Sequence, residues 1–164
     1  MSTNPAENPA FASHDHSDCV ERVLATAETL CKDRKVRLTP IRRQALEILI
    51  SEHKALGAYD ILAELSARGQ AAHPPVAYRA LDFLVTHGLA HKIERLAAYV
   101  ACAHPGERHR PAFLICRICQ LVAEAHVPNN EGALGSAAKA LGFQIEETVI
   151  EAEGICPECQ KAAA

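Results

Sequence analysis

The chain is expected to fold as α+β, with an N-terminal winged helix-turn-helix domain and a small C-terminal α/β dimerisation domain closed by a four-cysteine site. Three observations carry that expectation: helix-periodic segments ending in a hairpin pattern, a Pro- and Gly-bearing linker, and two Cys-x-x-Cys knuckles near the C-terminus. A length of 164 residues allows one ordinary domain or two small ones. Apolar residues make up 49% but aromatics only 4%, with no Trp, so the cores must be Leu, Ile, Val and Ala, a composition that favours helix packing. No apolar run is long enough for a membrane span and no secretory signal is visible, so a cytoplasmic chain is expected. The net charge of −3 means that any nucleic-acid surface must be local.

Residues 1–16 hold too little apolar surface to order themselves and read as a mobile tail, whose His14 and His16 could bind metal only weakly. Asp18 and Glu21 resemble a capping box, and Val20, Val23, Leu24, Ala27, Leu30 and Cys31 then follow one helical face. Thr39-Pro40 is a strong helix start, with Ile41, Ala45, Ile48 and Leu49 inward and Arg42 and Arg43 emerging near the beginning. After Gly57, a third short helix runs from Tyr59 to Arg68. Pro74-Pro75 leads into a fourth over residues 76–87, with Ala77, Ala80, Leu81, Leu84 and Val85 inward and Tyr78, Arg79, Asp82, Phe83 and Thr86 outward. Ala90 to Glu94 and Ala98 to Cys102 read as two strands around a short turn at 95–97, a hairpin wing directly after the last helix. Residues 17–102 thus form the winged helix, against the blander reading of a small bundle with an accidental hairpin.

Residues 103–111 form the hinge, and 112–164 the second domain. Ala112 to Ile115 and Leu121 to Ala125 can be strands flanking the first knuckle. Asn129 or Asn130 caps a helix closed by Gly142, and Phe143 to Ala152 reads as a strand. So small a sheet buries little by itself, so a second subunit is expected.

Cys116, Cys119, Cys156 and Cys159 have the spacing that brings four thiolates to one tetrahedral zinc, against the reading of redox dithiols. Such a site is structural and does no chemistry. A second set has no local motif: His91 on the first wing strand, opposite Ala101, Cys102 at the end of the second, His109 in the linker and Glu124 beyond the first knuckle. Together they make a plausible four-coordinate zinc set; the thiolate favours zinc over manganese or magnesium, while affinity order alone leaves ferrous iron, cobalt and copper open. No acid–base pair or nucleophile constellation suggests an enzyme.

Val36-Arg37-Leu38-Thr39-Pro40-x-Arg42, Ala58-Tyr59-Asp60-Ile61-Leu62, Pro74-Pro75-x-x-Tyr78-Arg79-Ala80-Leu81-Asp82-Phe83-Leu84, His91-Lys92 and the two knuckles, in this order, resemble the ferric uptake regulator family. More closely they are similar to its zinc-sensing branch, the zinc uptake regulators. The resemblance implies a bacterial homodimeric repressor of zinc uptake genes that binds double-stranded DNA with zinc as co-repressor. It implies structural zinc on Cys116, Cys119, Cys156 and Cys159, and regulatory zinc on His91, Cys102, His109 and Glu124, two ions per subunit. The family's DNA-contacting Tyr and Arg correspond to Tyr59 and Arg79, with Tyr78 alongside and Arg42 and Arg43 available for phosphates. Two departures stand out. Val76 replaces the usual Thr or Ser, losing a helix cap and a phosphate contact, and the linker lacks the His-rich run of iron-sensing relatives.

An iron, manganese or peroxide sensor of the same family is the first alternative. A thiol redox protein or zinc chaperone is the second, against which nothing in the sequence sets one knuckle thiol apart as a low-pKa nucleophile.

Overall fold

The computed structural model describes residues 16–52, 54–71, 73–107, 109, 111–126, 132–146 and 148–162. Of the expected tail over residues 1–16, residues 1–15 lie outside them, as does the helix cap at Asn129 or Asn130, whereas His16 is helical and not part of a tail. Helices α1 (His16–Asp33), α2 (Pro40–Glu52), α3 (Ala58–Ala67) and α4 (Pro74–Thr86) pack around a core that includes Leu24, Leu46, Leu49, Ile61, Leu65, Leu81 and Leu84. The apolar periodicity of α1 dictates this packing, and its Ala27 and Cys31 are buried as expected. Asp18 and Glu21 lie inside α1 and do not form its start.

Two features of α4 depart from the sequence reading. Its N-cap is His73, with Pro74 and Pro75 at the first two positions, where missing N–H groups cost nothing. Val76 N–H donates to the His73 carbonyl at 2.8 Å. Position 76 is therefore inside the helix, and the cap expected to be lost with the Thr or Ser was never there. Val85 is 37% exposed, whereas Phe83 is half-buried against the helical core. The Arg42 guanidinium lies 3.8 Å over the Phe83 ring and the His87 ring sits 4.4 Å away, so Phe83 covers the α2–α4 junction.

The wing has three strands, in the order β1-β3-β2: β1 (Leu56–Gly57), β2 (Ala90–Ile93) and β3 (Ala98–Ala101). Residues 94–97 make a four-residue turn with Ala97 at φ 47°, one residue longer than expected. His91 consequently pairs with Val100, not Ala101. The single-residue slip matters because facing side chains alternate along a strand. Cys102 N–H donates to the Leu89 carbonyl at 3.0 Å, extending the ladder and putting Cys102 diagonally across from His91 on the same face. The expected register would have turned them to opposite faces.

The C-terminal sheet has the order β5-β4-β6: β4 (Pro111–Cys116), β5 (Val122–His126) antiparallel to it and β6 (Ile150–Gly154) parallel. Between β5 and β6 lies α5 (Gly132–Ala140), and α6 (Pro157–Ala162), which the sequence reading missed, carries the last cysteine. The expected long strand from Phe143 is confined to Ile150–Gly154, and Phe143 and Val149 remain exposed.

A second apolar cluster joins the two halves. Ile93 and Val100 of the wing pack with Phe113, Ile115 and Val122 of the C-terminal sheet, with Leu96 and Ala55 at its edge. The linker also touches the helical core: Gly106, at φ +89°, lies where a Cβ would come within 3.1 Å of the Leu30 side chain on α1. No helix among the described residues is long and apolar enough to cross a membrane.

Candidate metal centres and nucleic-acid interface

The first knuckle turns tightly after β4. Cys116 N–H donates to the Leu121 carbonyl, Gln120 N–H donates to the Cys116 carbonyl, and Gln120 itself adopts φ 61°. Parallel pairing of β6 with β4 ends at Cys116↔Gly154, which delivers Cys156 beside Cys116. The four sulfurs lie within 4.8 Å of one another. Cys119 Sγ and Cys156 Sγ are 3.7 Å apart. That is far beyond the roughly 2.0 Å of a disulfide. It matches the edge of about 3.8 Å that follows from tetrahedral zinc–sulfur bonds of about 2.3 Å.

Backbone N–H groups of Cys119 and Cys156 hold the Cys116 thiol down at about 6, whereas contact with the Cys156 sulfur and burial push Cys159 up to about 12. One knuckle thiol is thus set apart after all, contrary to the sequence reading. Cys116 is nevertheless 2% exposed, so its thiolate faces the other three sulfurs and not a soluble partner. Cys31, by contrast, is a core residue whose thiol is pushed up by burial, as expected of a small hydrophobe.

The second set converges as well: His91, Cys102, His109 and Glu124 offer ligand atoms within 4.8 Å of one another. Four different pieces of chain supply them. The wing register provides His91 and Cys102, the linker His109, and β5 Glu124. His109 Nδ1 lies 2.9 Å from the Glu107 carbonyl, an acceptor only, so Nδ1 carries the proton and Nε2 presents a lone pair to the centre. That Nε2 lies 2.7 Å from Glu124 Oε1 and 3.5 Å from Cys102 Sγ. His91 Nε2 is 3.5 Å from the same Oε1. His91 Nε2 and Glu124 Oε1 are both buried without a hydrogen-bond partner. Lone pairs gathered in a dry place and unsatisfied by one another fit a cation at their centre.

Electrostatics agree. Burial raises the Glu124 carboxyl, but His91, the Ala103 N–H at 2.8 Å and His109 outweigh it and hold the group below the usual carboxylate range. Burial and the Glu124 charge push the Cys102 thiol up to about 12.

The expected DNA-binding residues lie on the helical half. Tyr59 at the start of α3 is 69% exposed and Tyr78 on α4 is 42% exposed, a costly display for aromatics without a partner. Arg79 Nε donates to the Pro75 carbonyl at 3.1 Å, tying its stem along the first turn of α4. Arg42 Nη1 donates to the Arg37 carbonyl at 2.6 Å, and Arg43 pairs with Glu28 at 3.1 Å and with Glu47. Sequence reasoning missed Phe113, whose ring lies 5.3 Å from that of His91 and backs this candidate ligand. It also missed the Ala103 N–H on Glu124, a contact without any side-chain signature.

These features define a class: a winged-helix regulator in which a candidate cation centre spans the wing, the linker and a four-cysteine domain. No family model matches the chain. It is 38% identical over 145 residues to the zinc uptake regulation protein of Escherichia coli (strain K12), covering 88% of this chain and 85% of that one. The structure of a zinc uptake regulator complexed with zinc and DNA superposes with TM-score 0.82 at 37% identity, over 88% of this chain and 97% of the other. Holo XcZur superposes with TM-score 0.76 at 40% identity over 88% and 99% of the two chains, and apo XcZur with 0.51 at 36% identity over 87% and 99%. The chain belongs to the ferric uptake regulator family, in its zinc uptake regulator branch.

Proposed function

We propose that this chain is a zinc-responsive DNA-binding repressor of zinc uptake genes, with zinc as co-repressor. The observation that carries the reading is the convergence of His91, Cys102, His109 and Glu124 from wing, linker and sheet, in a chain that superposes better on the holo than on the apo relative. Residues 17–102 act as the DNA-binding domain, 103–111 as the hinge and 112–164 as the dimerisation and metal-binding domain. Each subunit holds two zinc ions, one structural on Cys116, Cys119, Cys156 and Cys159 and one regulatory on the mixed set. Zinc at the regulatory centre supplies the bonds that make one arrangement of head and sheet lower in free energy than the others. Moving a population from 1:99 to 99:1 takes about 5.5 kcal/mol of such preference, within reach of partial coordination.

His109 is held in the ligating tautomer by the Glu107 carbonyl, Glu124 by the Ala103 N–H, and His91 by its strand and by Phe113. The protein part of the centre is therefore prearranged. On the head, Arg79 reads a base edge in the major groove, guanine by its fork geometry, while Tyr59, Tyr78, Arg42 and Arg43 hold phosphates. Arg43 must exchange Glu28 or Glu47 for a phosphate, which a multiply charged duplex favours. The second subunit covers the exposed apolar groove between α5 and β6, lined by Leu134, Leu141, Phe143 and Val149, so that two heads meet two half-sites.

The test is a mobility-shift titration against buffered free zinc, using a duplex selected from random DNA by the zinc-loaded protein. Wild type should bind in zinc and release without it. Cys102→Ser should lose the zinc response while remaining dimeric with about one tightly held zinc per subunit. A response to iron or manganese at equal free metal, with none to zinc, would move the chain to the iron- or manganese-sensing alternative.

A further inference from the structure

The structure places a second carboxylate on the wing, far along the strands from the metal set. Glu151 of β6 accepts the Glu94 N–H at 2.7 Å on one oxygen and the Arg95 N–H at 3.0 Å on the other. These are consecutive amides in the β2–β3 turn, and a carboxylate taking both is the anion-in-a-nest arrangement that backbone dipoles favour. The registers explain why it is there. Phe113 of β4 pairs with Glu124 on one side and with Glu151 on the other, so the three side chains form one row across the sheet and point to one face. Glu124 takes the Ala103 N–H beyond the end of β3, Phe113 packs against Ile93 and Val100, and Glu151 takes the turn at the other end.

We propose that Glu151 is a positioning residue: a metal-independent latch that fixes the turn end of the wing, so that regulatory zinc at the His91–Cys102 end has only the remaining freedom to remove. A wing held at one end can still swivel about it; one held at both ends cannot. The inference rests on the zinc-repressor reading and adds a consequence for zinc itself. Apparent affinity at a site that exists only in one arrangement scales with the population of that arrangement. Losing the latch therefore weakens regulatory zinc binding, although Glu151 is not among its ligands.

The experiment uses the full-length dimer and three measurements: regulatory zinc affinity by competition with a chelator and without DNA, affinity for the selected duplex at limiting zinc, and site-resolved amide exchange. Glu151→Gln should weaken regulatory zinc roughly tenfold, the scale of charged hydrogen bonds lost without losing a ligand. It should weaken duplex binding at limiting zinc and speed exchange at Glu94 and Arg95, while the four-cysteine zinc stays bound. Glu151→Asp, one methylene shorter, should fall between. Glu153→Gln is the control on the same strand: it breaks only the Arg95–Glu153 pair at 3.4 Å, half-exposed, and should change little. Unchanged zinc affinity and unchanged exchange in Glu151→Gln would overturn the latch. So would loss of the four-cysteine zinc, which would make Glu151 a folding residue of β6. If wild type bound duplex equally without zinc, the repressor reading would fail, and the Glu94 and Arg95 exchange rates would still decide on the latch.

Discussion

Of the four proposed regulatory ligands, Cys102 is the most demanding. Its thiol is pushed up to about 12 by burial and by the Glu124 charge, so near neutral pH it keeps its proton until a cation displaces it. Zinc binding must then release about one proton, and affinity should rise about tenfold per pH unit wherever the thiol is the only group exchanging one. Calorimetry in buffers of different ionisation enthalpy counts the protons directly, and a count of zero at pH 8 would contradict the buried thiol. On the helical half, Arg79 is proposed to carry the sequence preference. Arg79→Ala should cost about 1–3 kcal/mol and relax specificity at one base position, measured on a panel of single-base variants of the selected duplex. A uniform loss across the panel would reduce it to a phosphate contact.

Elements turn these residues into sites, and here the linker and the strand registers matter most. Gly106 sits at φ +89° with Leu30 of α1 where its Cβ would be, three residues before His109. Gly106→Ala should therefore both strain the backbone and push the linker off α1, costing about 1–2 kcal/mol in thermal stability of the zinc-loaded protein. The four helices and both knuckles were legible in the sequence because the 3.6-residue period and the Cys-x-x-Cys spacing are local signals. The convergence of His91, Cys102, His109 and Glu124 was legible as a list of residues, but not as geometry. Whether His91 faces Cys102 turns on one residue of turn length at 94–97, and Ala97 gives no sign that it will adopt the left-handed conformation. β1 is only two residues long and leaves no pattern to read, while the alternation from Phe143 marked a strand but not its true extent, because β6 is set by parallel pairing across a long connection. Glu151 was invisible for the same reason: its partners are backbone amides fifty-six and fifty-seven residues away in the chain.

At the scale of the whole molecule, the C-terminal half presents one face of its sheet to the wing and leaves α5 and the approach to β6 bare. Leu141 is 83% exposed, Phe143 67% and Leu134 60%, and together they line an open apolar cavity that no other part of the described chain covers. A monomer gains nothing from that display, and a two-fold dimer buries the same patch twice. Placing a charge at its most exposed point leaves the folded subunit alone, because Leu141 makes no part of either core cluster. Leu141→Glu should therefore shift sedimentation from dimer to monomer at micromolar protein, keep the four-cysteine zinc, and leave the helical half as heat-stable as before. Duplex binding should fall by far more than a single-contact loss, because each head then meets its half-site alone and the gain from linking two binding events disappears. A variant that sediments as a dimer would move the subunit contact elsewhere. A monomer that still gripped the full duplex at wild-type affinity would mean that one head suffices, and the spacing set by the zinc-bridged wing would no longer explain repression.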